Sequence, residues 1–192
     1  MEQIRSFIAI ELSGEVKQAL ARLQGTLKSG SRTPVRWVDP NSIHLTLKFL
    51  GNINADMTGR ITAAMEEAAR GVHPFRIEIS GLGVFPNPGR VQIVWVGLTG
   101  EVERLGQLQK RIEAGLVPLG FAAESRSFTP HLTIGRVRDQ ATTYERQDLG
   151  RLIESMSFDA GCKLDVESVN LMKSQLTREG PIYSRLGSVM LK

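Results

Sequence analysis

The chain has 192 residues, 41% of them hydrophobic and 23% charged, with 24 Lys and Arg against 20 Asp and Glu for a formal net charge of +4. This is the composition of an ordinary globular chain of about one domain, and it excludes collagen-like, coiled-coil and intrinsically disordered classes. A single cysteine, Cys162, excludes an internal disulfide and a cysteine-based zinc site and fits a reducing cytoplasm, while three histidines, His44, His73 and His131, leave only three pairs for two-histidine chemistry.

Short apolar strands and amphipathic helices follow one another along the chain. Phe7–Leu12 reads as a strand; its apolar run is closed by Glu11, too short for a signal-peptide core. No stretch approaches the roughly 18 apolar residues of a spanning helix. Ser13 is placed to cap a helix over Glu15–Leu27, with Val16, Leu20, Leu23 and Leu27 on one face. A short strand, Val35–Val38, and a turn at Asp39-Pro40-Asn41 lead to a strand over His44–Leu50, which Gly51-Asn52 should end. Ala55–Ala69 reads as a helix. Phe75, Ile77 and Ile79 alternate with polar residues and pair as a hairpin with Val91–Leu98 across the turn Pro86-Asn87-Pro88-Gly89. Glu101–Leu116 is helical with Val102, Leu105, Leu108, Ile112 and Leu116 on one face. A strand begins just after Pro130, a helix lies within Tyr144–Met156, and Phe158–Ala160, Val166–Ser174 and Tyr183–Val189 are the last strands.

The two halves echo one another. His44-Leu45-Thr46-Leu47 and His131-Leu132-Thr133-Ile134 stand 87 residues apart, each after a strand–helix–strand series. The spacing predicts two similar lobes, each contributing one copy to a shared site.

On a strand, positions i and i+2 share a face, about 7 Å apart along the backbone, so each copy sets an imidazole beside a hydroxyl while its aliphatic residues face the core. Two imidazoles titrating near about pH 6.5 can act as one general base and one general acid. Threonine hydroxyls can donate to non-bridging phosphate oxygens, and the set suits in-line attack on a phosphodiester. The residues alone leave open which histidine is the acid. A zinc site needs a third ligand, and the nearest carboxylates, Asp39 and Asp139, flank the motifs rather than joining them. Cys162 lacks any motif and reads as an incidental thiol; His73, before Pro74, reads as a surface turn residue. Arg136 is the best phosphate partner, and by parity Lys48 lies on the His44 side. Phe49 falls by parity on the core side. Trp37 could stack on a base, whereas Trp95, in an apolar strand, reads as core.

The chain resembles the RNA 2′,3′-cyclic phosphodiesterases, also called 2′-5′ RNA ligases, of the 2H phosphoesterase superfamily. The resemblance rests on Arg5-Ser6-Phe7-Ile8-Ala9-Ile10-Glu11-Leu12, on Arg36-Trp37-Val38 with His44-Leu45-Thr46-Leu47-Lys48-Phe49-Leu50-Gly51, and on Gly83-Val84-Phe85-Pro86 with Val94-Trp95-Val96-Gly97. It extends through Phe128-Thr129-Pro130-His131-Leu132-Thr133-Ile134-Gly135-Arg136 to Gly180-Pro181-Ile182-Tyr183. It implies an α+β fold, bilobal, with two antiparallel-sheet lobes, pseudo-two-fold symmetry and outer helices, over residues 1–192 as a single domain. It implies hydrolysis of RNA 2′,3′-cyclic phosphate ends to 2′-phosphate, without metal or cofactor, and a weak reverse 2′-5′ ligase activity. In it His44 is the proton donor, His131 the proton acceptor, Thr46, Thr133 and Arg136 hold the phosphate, and Phe49 meets the terminal base, which requires a bulge or strand end near Lys48. The expected partner is RNA with a 2′,3′-cyclic terminus, the expected location the cytoplasm, and the expected state a monomer. Two other readings remain: an RNA- or nucleotide-binding module without turnover, and a related hydrolase acting on a small nucleotide such as ADP-ribose 1″,2″-cyclic phosphate.

Overall fold

The computed structural model describes residues 3–178 and 180–192. Among them nine strands and four α-helices run in the order β1 (Gln3–Glu11), α1 (Gly14–Gly30), β2 (Val35–Trp37), β3 (His44–Asn54), α2 (Thr58–Ala69), β4 (Phe75–Phe85), β5 (Ile93–Gly100), α3 (Val102–Leu116), β6 (Leu132–Val137), α4 (Thr143–Ser155), β7 (Asp159–Val166), β8 (Ser168–Leu176) and β9 (Pro181–Met190).

Local chemistry sets where the helices begin. The Ser13 hydroxyl accepts from the Val16 amide at 3.3 Å, and Thr142 with Glu145 forms a reciprocal capping box at α4. The apolar stripes of α1 and α3 are buried as their spacing requires, Val16, Leu20, Leu23 and Leu27 in one and Leu105, Leu108, Ile112 and Leu116 in the other. Several boundaries differ from the sequence expectation: β1 starts four residues earlier, at Gln3, β4 runs on to Phe85, and β5 starts at Ile93. β3 continues through Gly51-Asn52 to Asn54, because Gly51 adopts φ 71 and stays paired opposite Ser6. The helix expected from Ala55 starts as a 3-10 turn and becomes α-helical only at Thr58. The short strand expected at Phe158–Ala160 is instead β7, eight residues long, carrying Gly161 at φ 66.

The strands form two antiparallel sheets, one in the order β3-β1-β8-β9 and the other β2-β6-β5-β4-β7. α2 and α3 pack on the first, α1 and α4 on the second. The expected lobes are therefore present, but they are not the two halves of the sequence. The chain crosses repeatedly: the stretch between β1 and β3, both in the first sheet, runs through α1 and β2, which lie with the second, while α3 joins β5 to β6, both in the second, yet lies on the first. Such exchange is open to antiparallel pairs, since the handedness rule that ties a crossover helix to its own sheet applies to parallel ones.

One continuous apolar core fills the space between each sheet and its helices, including Ile8, Leu45 and Leu171 from the first sheet and Val94, Leu132 and Ile134 from the second. Each such fully buried side chain contributes about 1.5–3 kcal/mol. The pleat of β1 sends Ile4, Ile8 and Ile10 into this core and Arg5, Phe7 and Glu11 to the opposite face. There Phe7 joins Ala9, Met172 and Tyr183 in a small separate cluster, the first sign of where the motif histidines lie.

Candidate functional site

The two His-x-Thr copies occupy equivalent places, His44 at the first residue of β3 and His131 just before β6. These strands come within 8 Å of each other, Cα to Cα. In each ring Nδ1 bonds a backbone carbonyl two residues upstream: Ser42 O at 2.9 Å for His44 and Thr129 O at 2.7 Å for His131. A carbonyl only accepts, so Nδ1 carries the hydrogen in both, and Nε2 is the atom left to exchange a proton. His44 stacks on Phe7 with ring centroids 4.5 Å apart and meets the edge of Tyr183 at 4.9 Å. His131 meets Phe85 edge-on at 5.1 Å, with Trp95 at 6.3 Å. Aromatic walls thus fix both rings by packing as well as by hydrogen bonding. Burial raises the phenol of Tyr183, on β9, with the charge of Arg136, on β6 of the other sheet, opposing, which brings the two walls to one cleft.

Both motif strands are bulged at the same residue. Thr46 pairs with Ala9 and Lys48 with Ile8, so Leu47 is the extra residue; Thr133 pairs with Trp95 and Gly135 with Val94, so Ile134 is its counterpart. A bulge reverses the face taken by each later residue of its strand. Strict alternation would turn the fifth residue after each histidine away, whereas here Phe49 stands 70% exposed beside Phe7, at 6.3 Å, and Arg136 is exposed opposite Ile93. Phe49 is for this reason not on the core side where parity put it, and the irregularity near Lys48 implied by the resemblance is present. Thr46 and Thr133 remain half-buried on the motif face.

Lys48 goes the other way. It is turned from the cleft to α3, where its ammonium bonds Glu113 at 2.9 Å and Ala122 O at 2.7 Å, so the parity placement beside His44 is corrected by the same bulge. Trp95 is not core: Val94 and Val96 face the helices, and the indole, half-buried, lies across Gly83, where an added Cβ would come within 2.1 Å of it. Trp37 packs toward α1, under Lys28 at 5.9 Å, rather than into the cleft. Cys162 is half-buried, with burial pushing its thiol up, and His73 is exposed. Among the described residues no three His, Cys, Asp or Glu cluster as metal ligands would. Reading residue types missed the wall residues Phe7, Phe85 and Tyr183; the alternation along β1 could have shown Phe7 leaving the core. It also missed Glu11, paired opposite His44 and held by Asn170 at 2.8 Å and by Arg185.

Burial against the aromatic wall lowers His44 from its ordinary value, with the Ser42 carbonyl and the charge of Glu11 opposing. The folded value lies below the unfolded one, so on acidification the unfolded chain binds the proton first. His44 thus favours the folded state above about pH 6.5 and loses that contribution as pH falls through its lowered value. Urea unfolding of wild type and His44→Phe at pH 7.5 and 5.5 checks this. The stability of the wild type should fall more between the two, by up to about 1.4 kcal/mol per pH unit, and equal falls would refute the assignment.

Comparison with known proteins gives the arrangement a lineage. A family model described as LigT like phosphoesterase matches residues 10–95 and again residues 96–183, one copy on each half of the chain. The chain is 37% identical over 183 residues to the RNA 2′,3′-cyclic phosphodiesterase of Methanothermobacter thermautotrophicus, covering 95% of this chain and 96% of that one. It is 33% identical over 183 residues to the enzyme of the same name from Archaeoglobus fulgidus, covering 95% and 98%. A crystal structure of a Thermus thermophilus protein superposes with a TM-score of 0.80 at 27% identity over 97% of each chain. Escherichia coli LigT complexed with 3′-AMP shares the fold with a TM-score of 0.75 at 22% identity, over 100% of this chain and 99% of that one. A duplicated motif pattern that spans the chain, a matching two-sheet fold and relatives alike from end to end agree, and the chain belongs to the LigT-like phosphoesterase family.

Proposed function

We propose that this protein hydrolyses RNA ends bearing a 2′,3′-cyclic phosphate to 2′-phosphates, without a metal, using His44 and His131 as acid and base. One observation carries the reading. Each sheet presents a His-x-Thr frame whose histidine has Nδ1 committed to the carbonyl two residues upstream, leaving two Nε2 atoms for proton transfer. The names of the relatives support the substrate.

In this mechanism the His131 Nε2 takes a proton from water, whose oxygen attacks phosphorus. The bond from phosphorus to the 3′ oxygen breaks, and His44 Nε2 donates a proton to that oxygen. The bond to the 2′ oxygen stays, so the product is a 2′-phosphate. Thr46 and Thr133 donate to the non-bridging oxygens, the exposed Arg136 offsets the developing charge, and the exposed Phe49 ring stacks on the terminal base. Burial lowers His44, and the anionic phosphodiester is the counter-charge that favours the protonated form a donor needs. With a 5′ hydroxyl in place of water, the same pair opens the cyclic phosphate, the P–O5′ bond forming as the bond to the 3′ oxygen breaks, which gives a weak 2′-5′ ligation. A single half-buried cysteine suits a reducing cytoplasm, and we read the protein as a monomer. Among the described residues no helix is long and apolar enough to cross a membrane.

The test is an RNA oligonucleotide ending in a 2′,3′-cyclic phosphate, assayed in EDTA with the position of the product phosphate determined. The expected result is a 2′-phosphate formed at the same rate with and without chelator. Activity lost in EDTA and restored by zinc or manganese overturns the metal-free reading. Binding without product indicates a binding module, and faster turnover of ADP-ribose 1″,2″-cyclic phosphate reassigns the substrate.

A further inference from the structure

The bulges at Leu47 and Ile134 bring the fifth residue after each histidine into the cleft, and each meets a buried glutamine from a helix. Gln24 of α1, 2% exposed, donates from Nε2 to Ile134 O at 2.9 Å and to Val38 O at 2.7 Å. Gln109 of α3, 6% exposed, donates from Nε2 to Leu47 O at 3.4 Å and to Glu113 at 3.2 Å. The two sit in the same frame, Leu20-x-x-Leu23-Gln24-x-x-Leu27 and Leu105-x-x-Leu108-Gln109-x-x-Ile112, on faces that are otherwise apolar. An amide on a buried apolar stripe is costly unless its donors are used. A bulge in turn interrupts the ladder, and a buried carbonyl, with two lone pairs, can take a side-chain donor beside a backbone one. Amide and carbonyl answer each other.

The pairing is crossed. α1 precedes the first motif in sequence but holds the bulge of the second, and α3 precedes the second motif but holds the bulge of the first.

We propose that Gln24 and Gln109 are positioning residues for phosphodiester hydrolysis: each locks the bulge of the opposite motif strand, Gln24 keeping Arg136 in the cleft and Gln109 keeping Phe49 there. The inference rests on the cyclic phosphodiesterase reading for its kinetic consequence, and on backbone geometry alone for its structural one. Ile134 O also accepts from Val38 N at 3.0 Å, so the Gln24 amide ties together two carbonyls at the point where β2 leaves β6. Without it the strand can relax toward plain alternation, which turns Arg136 out of the cleft.

The test uses Gln24→Met, which keeps length and volume but removes both donors. Its kcat/KM on a 2′,3′-cyclic phosphate oligonucleotide should fall roughly tenfold, and thermal stability should fall modestly, since Met suits the apolar stripe but leaves the Val38 and Ile134 carbonyls without the amide donor. A double-mutant cycle with Arg136→Gln should show that the two losses overlap, while a cycle with Phe49→Ala should show them multiplying. Amide hydrogen exchange at residues 134–136 should quicken in Gln24→Met whether or not the protein is active. Should Gln24→Met fail to fold, Gln109→Met paired with Phe49→Ala, followed at residues 47–49, makes the same test in the other sheet. Unchanged exchange, or losses that multiply fully within the matched pair, would overturn the proposal. A wild type that folds but does not hydrolyse the substrate overturns the functional reading and leaves exchange to decide this one.

Discussion

His44→Ala and His131→Ala should each lower hydrolysis of a 2′,3′-cyclic phosphate RNA end by about 10²–10⁴-fold while leaving far-ultraviolet circular dichroism unchanged. Both rings lie at strand starts, half-buried and outside the continuous apolar core, so their removal alters the cleft walls rather than the packing beneath them. The double variant should lose little more than either single one, since a proton taken and a proton given serve the same step. Replacing the leaving 3′ oxygen by sulfur separates the roles, because a thiolate departs without a proton. On that substrate His44→Ala should recover most of its loss and His131→Ala none. The opposite pattern would exchange the two roles, and recovery in neither would remove His44 and His131 as an acid–base pair.

The second large effect is expected away from the histidines. Lys48 and Glu113 form an ion pair at 2.9 Å with side chains only 10% and 13% exposed, bridging β3 to α3. Lys48 also bonds Ala122 O at 2.7 Å, and Glu113 accepts from the Glu124 amide at 3.3 Å. The pair therefore fastens the irregular segment that runs from α3 to His131. Lys48→Met leaves the Glu113 carboxylate largely buried without its cation, and should cost about 3 kcal/mol, read as a fall of roughly 6–12 °C in Tm. Lys48→Met with Glu113→Leu removes both charges and should recover much of the loss. Limited proteolysis should cut within residues 120–130 faster in the single variant. A double variant as unstable as the sum of its singles would show that the two side chains act independently.

How far the site could be read from the chain depends on the residue. The histidine and threonine pairs were legible because chemistry and period coincide: a His-x-Thr frame on a strand fixes one face locally, with no need for the partner strand. Phe49 and Lys48 were not. Their orientations turn on bulges defined by register against β1, and a one-residue slip flips every side chain beyond it. The same physics returned Arg136 to the cleft although simple alternation sends it away. Trp95 was misjudged because an apolar strand was read as buried on both faces, whereas one face of β5 packs on helices and the other forms the cleft wall. The glutamines on the stripes of α1 and α3 were visible as polar exceptions, but their use required knowing which carbonyl each one meets.

By itself the sequence determined the nature and order of the elements, the two motifs and the class of chemistry their residue types suit, all of which depend on residues within a few positions of one another. Only the tertiary structure decided that the lobes exchange their helices, that both motif strands bulge at the same residue, and that Lys48 braces α3 while Phe49 and Arg136 stand in the cleft. Those outcomes rest on which strands pair, in what register, and on which buried carbonyls take donors from distant helices. Such long-range conditions couple residues as far apart as Gln24 and Ile134, and they are met only when the chain has closed.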